Sequence, residues 1–424
     1  MSIRDDVIKM KAAAPLLAAA SSTLRNQALS AVSATLKERQ EDIFRANKTD
    51  LEAAEKNNIP ESVIKRLKFD EHKLQDVVSG IAQLISLPDP IGKVSLNREL
   101  DEGLTLSRVS CPIGVIGVIF EARPDALVQI ATLCIKSGNC AILKGGRETA
   151  NTNKVLFEII HETIINEGIP ADCMLLASTH SEIDELLGCV GFVDLLIPRG
   201  SNAFVKYIMD NTQIPVMGHA DGICHIYVDE YGNFDMAKKI IIDAKTQYTA
   251  ACNSVETILV NKNIAKDFLP MLVEALKEAE VNLLGDDEVR SIVAIEPLTS
   301  EGYKEYLALT ASVKLVKDTS EAVSFINSHG SHHTDAIITD NRDNAEYFLQ
   351  MVDSAGVYHN CSTRFADGFR YGFGAEVGIS TSKLHARGPV GLEGLLTYKY
   401  KLLGRGQIVG DYATGKAKFN FKDI

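Results

Sequence analysis

From Cys111 onward, short apolar runs alternate with stretches of helical periodicity, and that alternation constrains the fold of this 424-residue chain more than any other feature. Residues 115–120, 140–143, 173–177, 193–197 and 224–228 read as buried strands, and residues 126–136, 151–166, 182–187 and 203–210 between them read as helices. The alternation restarts at residues 257–260, 291–295, 313–316, 336–339 and 356–358. This predicts an α/β chain with two doubly wound parallel modules, the first closing at Val228. Ligands of such modules sit beyond the carboxyl ends of the strands. Ahead of them, Leu24, Leu29, Val32 and Leu36 recur near a 3.6 period, Asn57-Asn58-Ile59-Pro60 is a stop, and residues 62–84 form a second helical block. Residues 94–109 alternate about Asp101-Glu102-Gly103 as a hairpin, and residues 407–409 read as a last strand. Hairpin and tail together suggest a small β association element.

Composition narrows the function. Lys plus Arg is 44 against 56 for Asp plus Glu, a net charge of −12, which excludes nucleic acid as a natural partner because its affinity rests on neutralised phosphates. A 46% hydrophobic content excludes disorder, and apolar runs of about eight residues fall short of the roughly 20 that span a bilayer. The eight cysteines form no C-x-x-C pair and mostly lie in apolar runs, which points to a reducing cytoplasm. Asp5 and Asp6 make the Ala-rich start a first helix, not a signal peptide. His329-Gly330-Ser331-His332-His333 has no standard zinc spacing, so no metal is expected.

Five segments could carry chemistry. Lys144-Gly145-Gly146-Arg147 follows a strand and suits a nucleotide or ribose phosphate; the plain alternative is a tight turn with two solvated bases. Arg199-Gly200-Ser201-Asn202 opens a helix, as an anion site or a simple N-cap. Cys252, in the polar loop Thr246-Gln247-Tyr248-Thr249-Ala250-Ala251-Cys252-Asn253-Ser254, suits an accessible thiolate nucleophile, although a lone cysteine is more often structural. Glu121-Ala122-Arg123-Pro124-Asp125 and Asn360-Cys361-Ser362-Thr363-Arg364 also follow strands. Arg123, Arg199 and Arg364 could clamp carboxylate or phosphate, or be unrelated surface ion pairs. No G-x-G-x-x-G follows a strand and no Walker A run exists.

Taken together, these segments resemble the aldehyde dehydrogenase superfamily, and most closely its members that reduce an acyl phosphate. The resemblance runs over nearly the whole chain. It is most specific at Pro112-Ile113-Gly114-Val115-Ile116-Gly117-Val118-Ile119-Phe120-Glu121-Ala122-Arg123-Pro124-Asp125, Ile135-Lys136-Ser137-Gly138-Asn139 and Gly218-His219-Ala220-Asp221-Gly222-Ile223-Cys224-His225. Ser331-His332-His333-Thr334-Asp335 and Leu384-His385-Ala386-Arg387-Gly388-Pro389 add to it.

The resemblance implies an NADP-binding domain over residues 1–93 and 110–228, a catalytic domain over 229–375, and an oligomerisation hairpin and tail over 94–109 and 376–424. It implies NADPH-dependent reduction of L-glutamyl 5-phosphate to glutamate 5-semialdehyde in proline biosynthesis, through a thioester on Cys252. Backbone amides near Cys252 would meet the oxyanion. Lys144, Gly145, Gly146, Arg147, Gly200, Ser201 and Glu305 would hold the cofactor, Lys144 near the adenine ribose and Glu305 near the nicotinamide ribose. Arg123, Arg199, His219, Asn360, Thr363 and Arg364 would meet the substrate. The Glu that activates water in hydrolytic relatives is missing from His219-Ala220-Asp221-Gly222, as a reductase conserving an activated acyl group requires. Arg147, where NAD-preferring relatives carry Glu, would favour a 2′-phosphate. A homo-oligomer and a transient complex with glutamate 5-kinase are the implied partners. Two other readings stay open: an acylating dehydrogenase taking a coenzyme A thioester, and a catalytically silent scaffold.

Overall fold

A computed structural model describes residues 3–177, 181–218, 221–299, 302–373 and 376–424. It divides into two compact units, the first comprising Met1–Met217, Phe373–Gly378 and Val390–Ile424, the second Gly218–Gly372 and Ile379–Pro389. Each is an α/β unit with a parallel sheet, the fold class that the alternation predicts.

In the first unit, β1 (Val94–Asp101) and β2 (Leu104–Pro112) form the expected hairpin, turning through Glu102 and Gly103, the latter at φ 71°. With the strands Leu396–Leu403 and Lys422–Asp423 they make a four-stranded antiparallel sheet. The parallel sheet contains β3 (Val115–Phe120), β4 (Cys140–Lys144), β5 (Met174–Ala177) and β6 (Leu195–Arg199), in the order β5-β4-β3-β6. β3 is buried at every position, because a central parallel strand is covered on both faces and so reads as an unbroken apolar run. Pro124 opens the helix Pro124–Ser137 and Gly138, at φ 72°, closes it. The helical block expected over residues 62–84 is two helices, Glu61–Leu67 and Glu71–Ser86. Asp70 separates them by capping the second, its side chain accepting from the Lys73 amide at 3.0 Å.

The second unit holds a seven-stranded sheet built from β7 (Cys224–Val228), β8 (Val255–Asn261), β9 (Asn282–Gly285), β10 (Glu296–Pro297), β11 (Thr310–Val316), β12 (Thr334–Ile338) and β13 (Gly356–His359). Their order is β10-β9-β11-β8-β7-β12-β13, and every pairing is parallel. Ile226, Ile258, Val260 and Val313 pack with Phe268, Leu269 and Leu272 of the helix Ala265–Glu278. Tyr227, Leu259 and Ile337 pack with Phe325 and Phe348 in a second cluster.

Four expectations change. Residues 224–228 pair with β8 and β12, so this strand belongs to the second unit and the boundary falls after Met217, not after Val228. An apolar strand carries no label saying which sheet it joins. Residues 379–389 likewise sit with the second unit, not with the tail. Residues 291–295 are not a strand: Asp286 caps a short helix, Asp287–Arg290, whose Val289 enters the core together with Val293, and the sheet position is taken by the four-residue β9. Residues 407–409 lead into the helix Val409–Ala413 instead of forming a strand.

Candidate active site

The first unit gathers three of the candidate segments at one edge. Glu121, Lys144 and Gly200 each follow or end a strand of the same parallel sheet, at its carboxyl ends. Chain order reverses between β3 and β6, which makes this the switch-point crevice of the sheet. Lys144 is buried and its ammonium donates to the Gly145 carbonyl at 2.6 Å; burial pulls its pKa below the ordinary lysine range. Arg147 is exposed at the start of the following turn. Beneath Gly145 lies Asn153, whose carbonyl oxygen is buried without a hydrogen-bond partner.

A cation pair, two close-approach glycines and an orphaned acceptor fit a ribose phosphate. Ser201 caps the helix Asn202–Asp210, its hydroxyl accepting from Phe204 N at 3.4 Å, while its own N–H goes to the Glu121 carboxylate. Burial first, then Glu148, raises the Glu121 carboxyl, so an incoming phosphate has to displace a carboxylate that is already disfavoured as an anion. Arg123 is exposed at the head of its helix, and Arg199 pairs with Glu376 at 4.0 Å.

The second unit places its chemistry at the opposite end of its sheet. Gly222 precedes β7, Cys252 precedes β8, Glu305 precedes β11 and His333 precedes β12. These strands are parallel and in register, so all four residues lie at the amino edge, contrary to the expectation that ligand-binding loops follow the strands.

Cys252 is half-buried, whereas Cys134, Cys140, Cys173, Cys189 and Cys224 are buried. Its carbonyl accepts the Cys224 thiol at 3.3 Å. The next residue, Asn253, is pinned at both ends: its carbonyl accepts from the Thr363 hydroxyl at 2.7 Å, and its amide donates to Ala366 O at 2.7 Å. A Cβ on Gly222 would stand 2.6 Å from Cys252 Cα and run into its carbonyl, so only glycine fits there. Gly222 N–H donates to Glu305 Oε1 at 3.0 Å, which ties the acidic residue to the same loop.

His333, 1% exposed, brings Nε2 to 3.2 Å from the Cys252 sulfur, with Nδ1 2.9 Å from Thr334 Oγ1. Arg364 is buried and interacts electrostatically with Cys252. Burial depresses its pKa, its Nε donates to Gln247 Oε1 at 2.9 Å, and it lies over the Tyr248 ring.

Two of the residues expected at the substrate also hold the backbone. Thr363 is fully buried and commits its hydroxyl to Asn253. Asn360, at φ 55°, spends both ends of its amide on the Thr339 backbone, each at 3.0 Å, extending the sheet edge as a further residue would. His219 lies outside the described residues. Among those described, no group of three or more His, Cys, Asp or Glu is placed to hold a metal, and no helix is long and apolar enough to cross a membrane.

In the sequence His333 and Gly222 stand only inside longer motifs, and Lys245 and Glu256 lie outside every motif. Lys245 Nζ and Glu256 Oε2 form a 2.7 Å pair with no exposure on either side, directly behind the Cys252 loop. Burial pushes the Glu256 carboxyl up to about 7 and the Lys245 ammonium down, each opposed by the other's charge. The signal was present, since charged residues inside apolar runs are buried only when paired. Lys245→Met leaves that carboxylate unpaired and is expected to cost about 3–5 kcal/mol in denaturant unfolding, whereas Lys245→Met with Glu256→Leu recovers most of the loss.

The fold and the two edges define a cofactor-type crevice and a thiol centre on α/β units. The aldehyde dehydrogenase family model matches residues 2–307. The chain is 55% identical to the gamma-glutamyl phosphate reductase of Acetivibrio thermocellus over 420 residues, covering 99% of this chain and 97% of that one. It is 52% identical to the enzyme of the same name from Brachyspira hyodysenteriae, with full coverage of both. The crystal structure of the gamma-glutamyl phosphate reductase of Thermotoga maritima superposes with a TM-score of 0.94 at 37% identity, covering 96% of this chain and 100% of that one. The chain therefore belongs to the aldehyde dehydrogenase family, and within it to the gamma-glutamyl phosphate reductases.

Proposed function

We propose that the chain is an oxidoreductase that reduces L-glutamyl 5-phosphate to L-glutamate 5-semialdehyde with NADPH, releasing phosphate, as the second step of proline biosynthesis from glutamate. The observation that carries this reading is the Cys252 thiol, half-buried, braced against Gly222 and 3.2 Å from a buried imidazole. Relatives that bear the reductase's name along their whole length support it.

Cys252 attacks the acyl carbon, the bond from that carbon to the phosphate oxygen breaks, and a thioester remains. A nicotinamide cofactor, when bound, would supply the hydride that takes this carbon to the aldehyde. Lys144, Gly145, Gly146, Arg147, Gly200 and Ser201 would hold that cofactor, and Glu305, fixed by the Gly222 amide, would serve its ribose. Arg123, Arg199, Arg364 and His219 meet the anionic substrate. The missing hydrolytic Glu keeps water from consuming the thioester. Arg147 selects the 2′-phosphate: Arg147→Glu is expected to raise the KM for NADPH by about 10–100-fold, the loss of one charge-assisted contact, and to leave that for NADH within a few-fold.

The outer strand Leu396–Leu403 exposes Tyr398, Tyr400, Leu402 and Leu403, an apolar edge suited to a second copy of the chain. Eight unbridged cysteines suit the reducing cytoplasm. A complex with glutamate 5-kinase would shield the labile acyl phosphate. The reaction is tested in reverse with glutamate 5-semialdehyde, NADP⁺ and phosphate: NADPH should form continuously, beyond one equivalent per active site, only when phosphate is present, and sustained phosphate-independent turnover would overturn the reading.

A further inference from the structure

The thiol that carries the reaction needs a place to send its proton. An ordinary cysteine is only a few per cent thiolate at pH 7, and the phosphate that leaves an acyl phosphate departs as a trianion unless a proton reaches it. Among the described residues expected at the site, none is such a carrier. Arg364 does not release its proton, Glu305 receives the Gly222 N–H, and Glu256 faces Lys245 behind the loop.

His333 meets the requirement geometrically. Its Nε2 is 3.2 Å from Cys252 Sγ, and its ring is buried just ahead of β12 with Nδ1 2.9 Å from Thr334 Oγ1. With Nδ1–H donated to that hydroxyl, Nε2 turns its lone pair to the sulfur, which is the tautomer a base at this position requires. The backbone supports the placement. His332, the residue before it, sits at φ 59°, with Nδ1 2.6 Å from the Asp353 carbonyl, and the His333 carbonyl accepts from Gly356 N at 2.9 Å.

The charged and titratable groups around the pair come from each neighbouring element. Arg364 acts on Cys252, Cys224 donates to its carbonyl, and Asp335 on the same strand is engaged by His225 at 2.7 Å and by Ser354. The guanidinium favours the thiolate, and Asp335 is turned away to its own partners.

We propose that His333 is the proton carrier of this centre. It takes the Cys252 thiol proton at Nε2 and passes it to the phosphate oxygen that leaves. The S–H bond breaks as the N–H bond forms, and the sulfur pair then makes the C–S bond to the acyl carbon. The pair of the breaking C–O bond stays on phosphate, which receives the proton from Nε2, so the imidazole ends neutral and ready for the next cycle. This rests on Cys252 as nucleophile and assigns the acid–base partner that the general mechanism leaves open.

The test is the rate of Cys252 alkylation by iodoacetamide against pH, read on the Cys252 peptide by mass spectrometry because Cys111 and Cys361 are also partly exposed. Wild type, His333→Gln and Thr334→Val are compared, with the phosphate-dependent reverse reaction followed in parallel. In His333→Gln the reactivity midpoint should rise to the ordinary cysteine range, alkylation at pH 7 should fall about tenfold or more, and kcat should fall about 10²–10⁴-fold with KM little changed. Thr334→Val, which removes the tautomer-setting hydroxyl, should shift the midpoint in the same direction by less.

An unchanged midpoint in a folded His333→Gln protein overturns the proposal. Should that variant not fold, an unchanged midpoint in Thr334→Val overturns it instead. Cys252→Ala separates the two levels: full turnover there would remove the nucleophile itself, while loss of turnover with an unmoved His333→Gln profile would remove only the proton carrier.

Discussion

Cys252→Ala is expected to lose phosphate-dependent turnover by roughly 10⁴-fold or more while keeping its fold, because no neighbouring group can take over the covalent step. Cys224, the nearest alternative sulfur, is buried, donates to the Cys252 carbonyl, and has its pKa pushed far above the ordinary thiol range by burial. Cys361 is raised in the same way. The side chain removed is small and half-buried, and the loop's anchors run through Asn253, Ser254 and the Cys252 carbonyl, which survive the substitution. Stability should therefore change by about 1 kcal/mol or less. Reverse-direction assays with thermal melts on the same preparation check both halves. A folded variant with more than a tenth of wild-type turnover would remove Cys252 from the mechanism.

The second large effect falls on a residue with no reactive group. Gly222→Ala adds a methyl where Cys252 Cα and Cβ lie 2.6 Å away, and backbone has nowhere to yield cheaply. Either the Cys252 loop or the strand entry must move by several tenths of an ångström, which also disturbs the Gly222 N–H to Glu305 contact. Overpacking of this kind costs about 1–3 kcal/mol in stability, and a displacement approaching 1 Å at the nucleophile costs about 10²-fold in kcat. The thiol itself remains, so alkylation of Cys252 should persist while turnover collapses. Gly80→Ala is the control: Gly80 lies inside the helix Glu71–Ser86 with nothing within 4 Å of an added Cβ. That variant should gain about 0.5–1 kcal/mol and keep its activity. Activity in Gly222→Ala within threefold of wild type would show that the loop has slack the packing does not suggest.

The sequence reading succeeds where periodicity and burial coincide. β3, β4, β7, β8 and β12 are buried throughout, so their apolar runs stand out. It fails where the chain's choice is tertiary. β9 has only four residues, and the more strand-like residues 291–295 are diverted by the Asp286 cap. β7 could have joined either sheet on composition alone. At the candidate site, Cys252 and Lys144 stand out in the sequence because a thiol in a polar loop and a base before two glycines are local signals.

His333 was not legible as a partner, since it meets Cys252 across 81 positions, and nothing local marks which of two adjacent histidines turns inward. The backbone-holding hydrogen bonds of Asn360 and Thr363 were hidden for the opposite reason, since polar residues in a candidate loop give no local sign that they brace the chain. The amino-edge placement of the thiol likewise follows from the strand register, which no single segment reveals.

The account's central claim is a thioester on Cys252 that water does not consume, and a pre-steady-state experiment without phosphate tests it most directly. Glutamate 5-semialdehyde and NADP⁺ are mixed with stoichiometric enzyme, and the quenched protein is digested for mass spectrometry. The account predicts a burst of about one NADPH per active site followed by a stall, a glutamyl adduct on the Cys252 peptide, and resumed turnover when phosphate is added. Steady NADPH formation without phosphate, or a burst that leaves no adduct on Cys252, would contradict it.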